Sequence, residues 1–436
     1  MAHIKAYRDP QISLFQAAVS EVVEKHSGAQ IMSAGRLGVP LRPTTEDPMM
    51  EAISAYVDGA VGSQPRVAPG APITLGIIDG AKHCANMALK LGEAIGKAIL
   101  TGNKADEQRY RDQLSKFTEC DPRWAEAAAV YADYFVAQQN SIPYISVKEI
   151  SDPTIPLPPK AKIVIVGDWG TGQPAARLVL EEIRDKKPDI VIHLGDIYYA
   201  GTQYEFDNYF TGVWKQVFGS GPNAPGGPSV YTLSGNHDMY SGGRAYYALL
   251  RTIGQPASFF CLQNSDWQFV AMDTGLHDCN PLGKAPTMLD PDEADWVKEK
   301  VFQAETRKTI FLSHHQLYST FEQIGDSWIN QSLLNQLGPA LPHISMWIWG
   351  HEHNLVVYRK YSNVLGRCAG HGAFPVGIDE PQAEPNSEIP IENVHLDKGQ
   401  SFYRHGFILI ELNGNQARFS YFQDNAPDAP TYTEQV

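Results

Sequence analysis

An α/β fold with strands buried on both faces is predicted by three features of this sequence. Short runs rich in β-branched, aromatic and other apolar residues recur at 162–166, 190–194, 229–233, 267–272, 309–312 and 344–349. Near-continuous apolar runs of that length mark strands covered on both sides by other layers. Between the first two runs, residues 175–186 have helical spacing, which completes a β–α–β unit. The third feature is chemical: short polar clusters close several of the runs, as expected where loops converge beyond the carboxyl ends of strands.

Taken in chain order, residues 1–150 read as a helical region. From Asp79 onward, Cys84, Met87, Ala88, Leu91, Ile95, Ala98 and Ile99 recur at three- and four-residue steps, the period of one helix face. Ala81, Ala85, Gly92 and Gly96 thin the neighbouring face, so that another helix would approach closely. Asp121-Pro122 has the form of a helix start, Asp capping and Pro at the first position, where its missing N–H costs nothing. The helix it opens places Trp124, Ala127, Ala128, Tyr131 and Phe135 on one side.

Residues 151–160, with Pro153, Pro156, Pro158 and Pro159, read as a stiff extended linker. The main α/β domain is expected over 161–425 and a C-terminal tail over 426–436. Within the domain, Asn413-Gly414 between apolar runs at 407–412 and 416–422 signals a hairpin. Residues 375–404, rich in Pro, Glu, Asp and Asn and without periodicity, read as a long loop. It either folds over the site or lies solvated.

The composition excludes several classes. A chain of 436 residues with 43% apolar content buries a sizeable core and is long for one average domain. A net charge of −14 disfavours nucleic acid and anionic membrane as partners. The apolar runs are strand-sized, far below the roughly 20 residues of a spanning helix. Residues 1–10 lack the pattern of a signal peptide. The five cysteines are scattered without CxxC spacing, which suits a reducing compartment, so the expected location is cytoplasmic.

The polar clusters are Gly167-Asp168-Trp169-Gly170, Gly195-Asp196-Ile197-Tyr198-Tyr199, Gly235-Asn236-His237-Asp238, Ser313-His314-His315 and Gly350-His351-Glu352-His353. Together they supply two carboxylates, a phenol, an amide and several imidazoles at strand ends, which suits two adjacent hard or borderline metal ions. The glycines are expected to turn the backbone sharply and aim the next side chain into the crevice.

In these clusters the chain resembles the calcineurin-like metallophosphoesterases, and within them the small, mammalian-type purple acid phosphatases. The resemblance spans roughly residues 160–425 and rests on all five motifs, with a Tyr three residues after the second Asp as its sharpest mark. It implies a four-layer α/β/β/α sandwich of two mixed sheets. It further implies that Asp168, Tyr199 and His353 hold one ion, Fe(III), and Asn236, His314 and His351 a second, Fe(II), Zn(II) or Mn(II), with Asp196 bridging. Two ions about 3.5–4 Å apart clamp the attacking and leaving oxygens of an in-line phosphoryl displacement and supply hydroxide as nucleophile.

His237 is then expected to contact the substrate phosphate, stabilising charge or protonating the leaving group. Asp238 either orients that imidazole or caps the following turn. His315 is expected beside the ligand His314, facing substrate or supporting it. Where the resemblance calls for a substrate-facing His, this chain has Gln323, which hydrogen-bonds phosphate but delivers no proton near neutral pH. His371 either joins the substrate site or serves its loop.

The function expected is hydrolysis of small phosphate monoesters. Hydrolysis of cyclic nucleotides or glycerophosphodiesters at the same site is the alternative, and a non-catalytic binding protein a third reading.

Overall fold

The computed structural model describes Tyr134 and residues 141–150, 152–279, 286–378, 384–399 and 402–436. The chain divides after Asp133, and all described residues belong to the unit Tyr134–Val436. The helices expected after Asp79 and Asp121 fall outside the described residues. Residues 141–150 were expected to end that helical region. They form no helix and pack within the unit Tyr134–Val436, where the Tyr144 hydroxyl donates to Glu293 Oε2 at 3.1 Å.

The strands are β1 (Thr154–Pro156), β2 (Lys160–Val166), β3 (Ile190–His193), β4 (Ser229–Thr232), β5 (Phe260–Gln263), β6 (Trp267–Ala271) and β7 (Lys308–Leu312). They continue with β8 (Met346–Trp349), β9 (Leu355–Val357), β10 (Gly366–Ala369), β11 (Gly406–Asn413), β12 (Gln416–Gln423) and β13 (Tyr432–Gln435). One sheet has seven strands in the order β1-β5-β6-β7-β8-β10-β9, and the other six, β13-β12-β11-β2-β3-β4. Both mix parallel and antiparallel neighbours. The longer helices are α1 (Pro174–Asp185), α2 (Gly212–Phe218), α3 (Arg244–Ile253), α4 (Pro291–Phe302) and α5 (Gln331–Leu337).

Side-chain alternation explains the layering. On β2 and β3, Ile163, Ile165, Ile190 and Ile192 point to a cluster that also holds Phe260, Leu262, Trp267 and Phe269 of the other sheet. Val164, Val166 and Val191 point the opposite way, against Val179, Leu180 and Ile183 of α1 and Leu249 and Leu250 of α3. On the far sheet, Cys261, Val270, Phe311 and Trp347 pack on Val297 of α4 and Leu333 of α5. The order is helix, sheet, sheet, helix. The expected four-layer α/β/β/α sandwich is present.

Two expected boundaries move. The proline-rich linker contains β1, which pairs parallel with β5. As an edge strand it tolerates proline, which lacks a donor only on the unpaired side; the carbonyl of Pro153 still accepts from the amide of Cys261. The expected C-terminal tail contains β13, the edge strand beside β12. Among the described residues no helix is long and apolar enough to cross a membrane.

A buried ion pair holds the sandwich closed at one margin. Arg367 of β10 forks onto Glu434 of β13, Nε to Oε1 at 2.7 Å and Nη2 to Oε2 at 2.6 Å, joining the two sheets. Arg367 Nη1 also donates to the carbonyls of Tyr358 and Gly366. Removing one partner strands a buried charge, which typically costs about 3–5 kcal/mol, whereas apolar replacement of both is often close to neutral. Glu434→Ala is therefore expected to lower unfolding free energy by roughly that amount in urea titrations. Arg367→Met with Glu434→Leu should recover most of it; a double variant no more stable than Glu434→Ala would show that the pair does not act in this way.

Candidate metal centre

The site lies where carboxyl ends of strands from both sheets meet. Asp168 follows β2, Asp196 follows β3, Asn236 and His237 follow β4, His314 follows β7, and His351 and His353 follow β8. Asp168, Asp196, His351 and His353 all adopt positive φ (55°, 74°, 67° and 47°). Left-handed backbone at non-glycine residues costs about 1–3 kcal/mol each and persists only where the surroundings enforce it.

The glycines act differently from the expectation. Of Gly167, Gly195, Gly235 and Gly350, only Gly195 has positive φ (107°). At Gly235 what matters is the missing side chain: a Cβ there would lie 2.0 Å from Asp196 Oδ1.

His314 is the centre of the geometry. Its Nδ1 donates to the carbonyl of Leu194 at 3.0 Å, so in the neutral ring Nε2 carries a lone pair. That Nε2 faces Asn236 Oδ1 at 3.2 Å, His351 Nδ1 at 3.2 Å and Asp196 Oδ2 at 3.3 Å. Asn236 is turned with its oxygen inward because Nδ2 donates to the Tyr240 hydroxyl at 2.6 Å. Lone pairs thus converge on one another and require a cation between them. Burial opposes a charge on His314, but the Asp196 carboxylate outweighs it and pushes the pKa up to about 9. Without a metal, the cluster draws in a proton instead.

A second group adjoins the first. The Tyr198 hydroxyl donates to Asp168 Oδ1 at 2.9 Å and lies 2.8 Å from His353 Nε2, which is 3.5 Å from the same carboxylate oxygen. Asp168 Oδ2 accepts the amide of His351 at 2.8 Å. Phe374 stacks on the His353 ring, centroids 3.7 Å apart. Asp168, Asp196 and His314 offer donor atoms within 4.8 Å of one another, so the two groups share Asp196. This donor set fits a pair of metal ions.

The structure therefore brings Asp168, Asp196, Asn236, His314, His351 and His353 together. The Tyr198 phenol reaches them, whereas its neighbour Tyr199 was expected as the ligand. The Tyr199 amide donates to Glu205 and its carbonyl accepts from His237 Nδ1.

His237 does line the site. With Nδ1 bonded at 2.6 Å to Tyr199 O, its Nε2 lies 3.9 Å from Asp196 Oδ2, and its ring sits between Tyr198 and Tyr240. Asp238 does not orient that ring. Its carboxylate accepts the amides of Gly235 (2.8 Å), Asp196 (2.9 Å) and Ile197 (3.0 Å), locking two site loops together.

His315 stands beside His351, held by Thr274 Oγ1 at 3.0 Å and by Asp278 Oδ2 at 3.0 Å. His314, His315 and His351 also offer donors within 4.8 Å of one another. Gln323 is exposed. His371 is not brought to the cluster: it is 1% exposed with Nε2 3.4 Å from the carbonyl of Phe422 on β12, and burial lowers its pKa to about 4. Sequence reasoning missed the support from Tyr240, Phe374, Thr274 and Asp278, which no motif announces.

Residues 161–355 match the family described as calcineurin-like phosphoesterase. Over this segment the chain is similar to calcineurin-like phosphoesterases. That family depends on a binuclear metal centre, and residues that could hold a metal cluster here.

Among curated proteins, the chain is similar to "Probable inactive purple acid phosphatase 9" of Arabidopsis thaliana, 24% identical over 285 residues, covering 55% of this chain and 42% of that protein. It is also similar to 3',5'-cyclic adenosine monophosphate phosphodiesterase CpdA of Escherichia coli, 25% identical over 183 residues, covering 40% of this chain and 58% of that protein. The chain thus spans 42% and 58% of the lengths of these relatives. Solved structures that resemble it include GAP50, the anchor in the inner membrane complex of Plasmodium (17% identity, TM-score 0.46, 64% of this chain and 88% of that one). Another is a dimetal phosphatase from Danio rerio (12% identity, TM-score 0.40, 63% and 98%).

The two neighbouring tyrosines give a direct test of the phosphoesterase site. A phenolate on Fe(III) produces a charge-transfer band in the visible. Iron-loaded protein is expected to be coloured, Tyr198→Phe to bleach it, and Tyr199→Phe to keep it. Bleaching in Tyr199→Phe with colour retained in Tyr198→Phe would return the role to Tyr199.

Proposed function

We propose that this chain hydrolyses small phosphate monoesters at a two-ion centre. Fe(III) would be held by Asp168, Tyr198 and His353, and Fe(II), Zn(II) or Mn(II) by Asn236, His314 and His351, with Asp196 between them. The observation that carries the reading is the convergence of lone pairs on His314 Nε2, directly beside the Asp168–Tyr198–His353 group. When bound, such ions polarise phosphoryl oxygens and acidify water near neutral pH.

The chain's own groups supply orientation and protons. His237 Nδ1 is committed to Tyr199 O, so Nε2 donates to a phosphoryl oxygen only as imidazolium. Binding an anionic phosphate favours that charged form over the state burial imposes on the free protein, where its pKa is lowered. His315, fixed by Thr274 and Asp278, lines the His351 side and positions substrate there.

Hydrolysis of a cyclic nucleotide is the second reading. The similarity to the cyclic adenosine monophosphate phosphodiesterase favours it, and the chemistry of the donor set serves either ester.

Turnover of 4-nitrophenyl phosphate, bis(4-nitrophenyl) phosphate and cyclic adenosine monophosphate, with and without EDTA, separates them. The monoester is expected to be cleaved fastest, with activity lost to EDTA and restored by added metal. Faster cleavage of the diesters would select the second reading. No metal-dependent cleavage of any of the three would overturn both.

A further inference from the structure

Behind the metal-ligand loops lies a buried carboxylate that the proposed chemistry leaves unused. Asp273 stands two residues past β6 and is fully buried. Its Oδ1 accepts the Ser234 hydroxyl and, at 3.0 Å, the amide of Leu276; its Oδ2 accepts the Tyr247 hydroxyl at 3.3 Å. The first two bonds lead to opposite sides of the second ion's place. Ser234 comes two residues before Asn236. Leu276 belongs to the loop in which Thr274 and Asp278 hold His315, next to His314. The two loops approach so closely that a Cβ on Gly275 would lie 2.5 Å from the carbonyl oxygen of Gly235.

Asp273 is fixed in turn from the far side. Its amide donates to Glu293 Oε1 of α4 at 2.8 Å, and Glu293 Oε2 accepts the Tyr144 hydroxyl at 3.1 Å. Tyr144 comes from the segment 141–150, and its ring packs on Phe259, centroids 6.1 Å apart. Glu293 is also fully buried, and the described partners of both carboxyl groups are amides and hydroxyls. Two neighbouring carboxyl groups buried on neutral donors are a poor device for stability alone, since apolar side chains would avoid their desolvation. What they supply is placement: one carboxylate holds donors from two loops and α3 in fixed relation.

We propose that Asp273 is a positioning residue for the second ion, setting Asn236 and the His314-His315 side together, and that Tyr144 governs Asp273 through Glu293. The inference rests on the two-ion reading above. It makes the segment 141–150 an input to the metal centre. Moving Tyr144 off Glu293 loosens the partner of the Asp273 amide, and with it the anchor that both loops share.

Metal affinity tests this without turnover. Chelator-stripped protein is loaded with Fe(III) at the first position and titrated with Zn(II) against a chelating dye. Asp273→Ala is expected to weaken Zn(II) binding about 10- to 100-fold, the usual cost of losing a group that holds a ligand in place. Asp273→Asn keeps an oxygen toward Ser234 and Leu276 and turns its amide to Tyr247, so it should stay within about threefold of wild type. Ser234→Ala should cost about tenfold, and Tyr144→Phe, acting through two further groups, about threefold to tenfold. In the Ser234→Ala background Tyr144→Phe should add little, because both act on one path. Every variant should keep the Fe(III) charge-transfer band, which reports the first position. Loss of that band along with Zn(II), Asp273→Asn as damaging as Asp273→Ala, additive losses in the double variant, or wild-type Zn(II) affinity in Tyr144→Phe would each overturn the proposal. Should Asp273→Ala fail to fold, Ser234→Ala, Tyr144→Phe and their combination decide it. If wild-type protein takes up no Zn(II) beside Fe(III), the two-ion reading itself has failed. If it does and the variants bind as well, the positioning assignment alone has failed.

Discussion

Four lone-pair donors packed around one point, reconciled only by a cation or a captured proton, are the constraint on which the site depends. His351 Nδ1, Asn236 Oδ1 and an Asp196 oxygen all lie within about hydrogen-bond distance of His314 Nε2, in a place where His314 is fully buried and Asp196 is 1% exposed. Two of them are turned inward by bonds elsewhere on the side chain, His314 by Leu194 O and Asn236 by Tyr240. An apolar interior makes such a gathering unfavourable unless a positive charge occupies it. A cation resolves the repulsion, and the Asp168–Tyr198–His353 group next to it repeats the arrangement with harder oxygen donors, a carboxylate and a phenol.

The scaffold holds that arrangement by strain and by omission. Positive φ at Asp168, Asp196, His351 and His353 is enforced by the rigid strand ends of two sheets and by backbone clamps. The Asp238 carboxylate joins Gly235, Asp196 and Ile197, and the Glu205 carboxylate takes the amides of Ala200 and Thr202. Glycine at 235 omits a side chain that would collide with the Asp196 carboxylate. Because the donors come from both sheets, the site also depends on their mutual packing through Ile163, Ile192, Phe260 and Phe269. Rigidity here serves chemistry, since ligands preset in place need no reorganisation when charge changes at phosphorus.

Much of the fold was legible because buried strands write themselves as apolar runs; β2, β3, β4, β6, β7, β8 and the β11–β12 hairpin all lie where those runs do. β9 is three residues long, and β10, Gly-Arg-Cys-Ala, hides its buried nature behind an arginine whose partner Glu434 is distant in sequence. α4 begins at Asp290-Pro291 with the Asp side chain accepting from Asp292 N, the same start signal read at Asp121-Pro122. The ligand motifs were legible as residue types. Choosing between Tyr198 and Tyr199 required the backbone path, because neighbouring side chains leave the chain in different directions. Asp238 was open for a related reason: only the fold shows three amides converging on its carboxylate.

The central claim is that the convergent donors form two adjacent cation sites, and the most direct measurement is the metal count. Protein stripped with chelator, dialysed against limiting Zn(II) or Mn(II) and analysed by elemental mass spectrometry should bind two ions per chain. Asp196→Ala should lose both. A single ion, or none, bound by the folded wild-type chain would contradict the account.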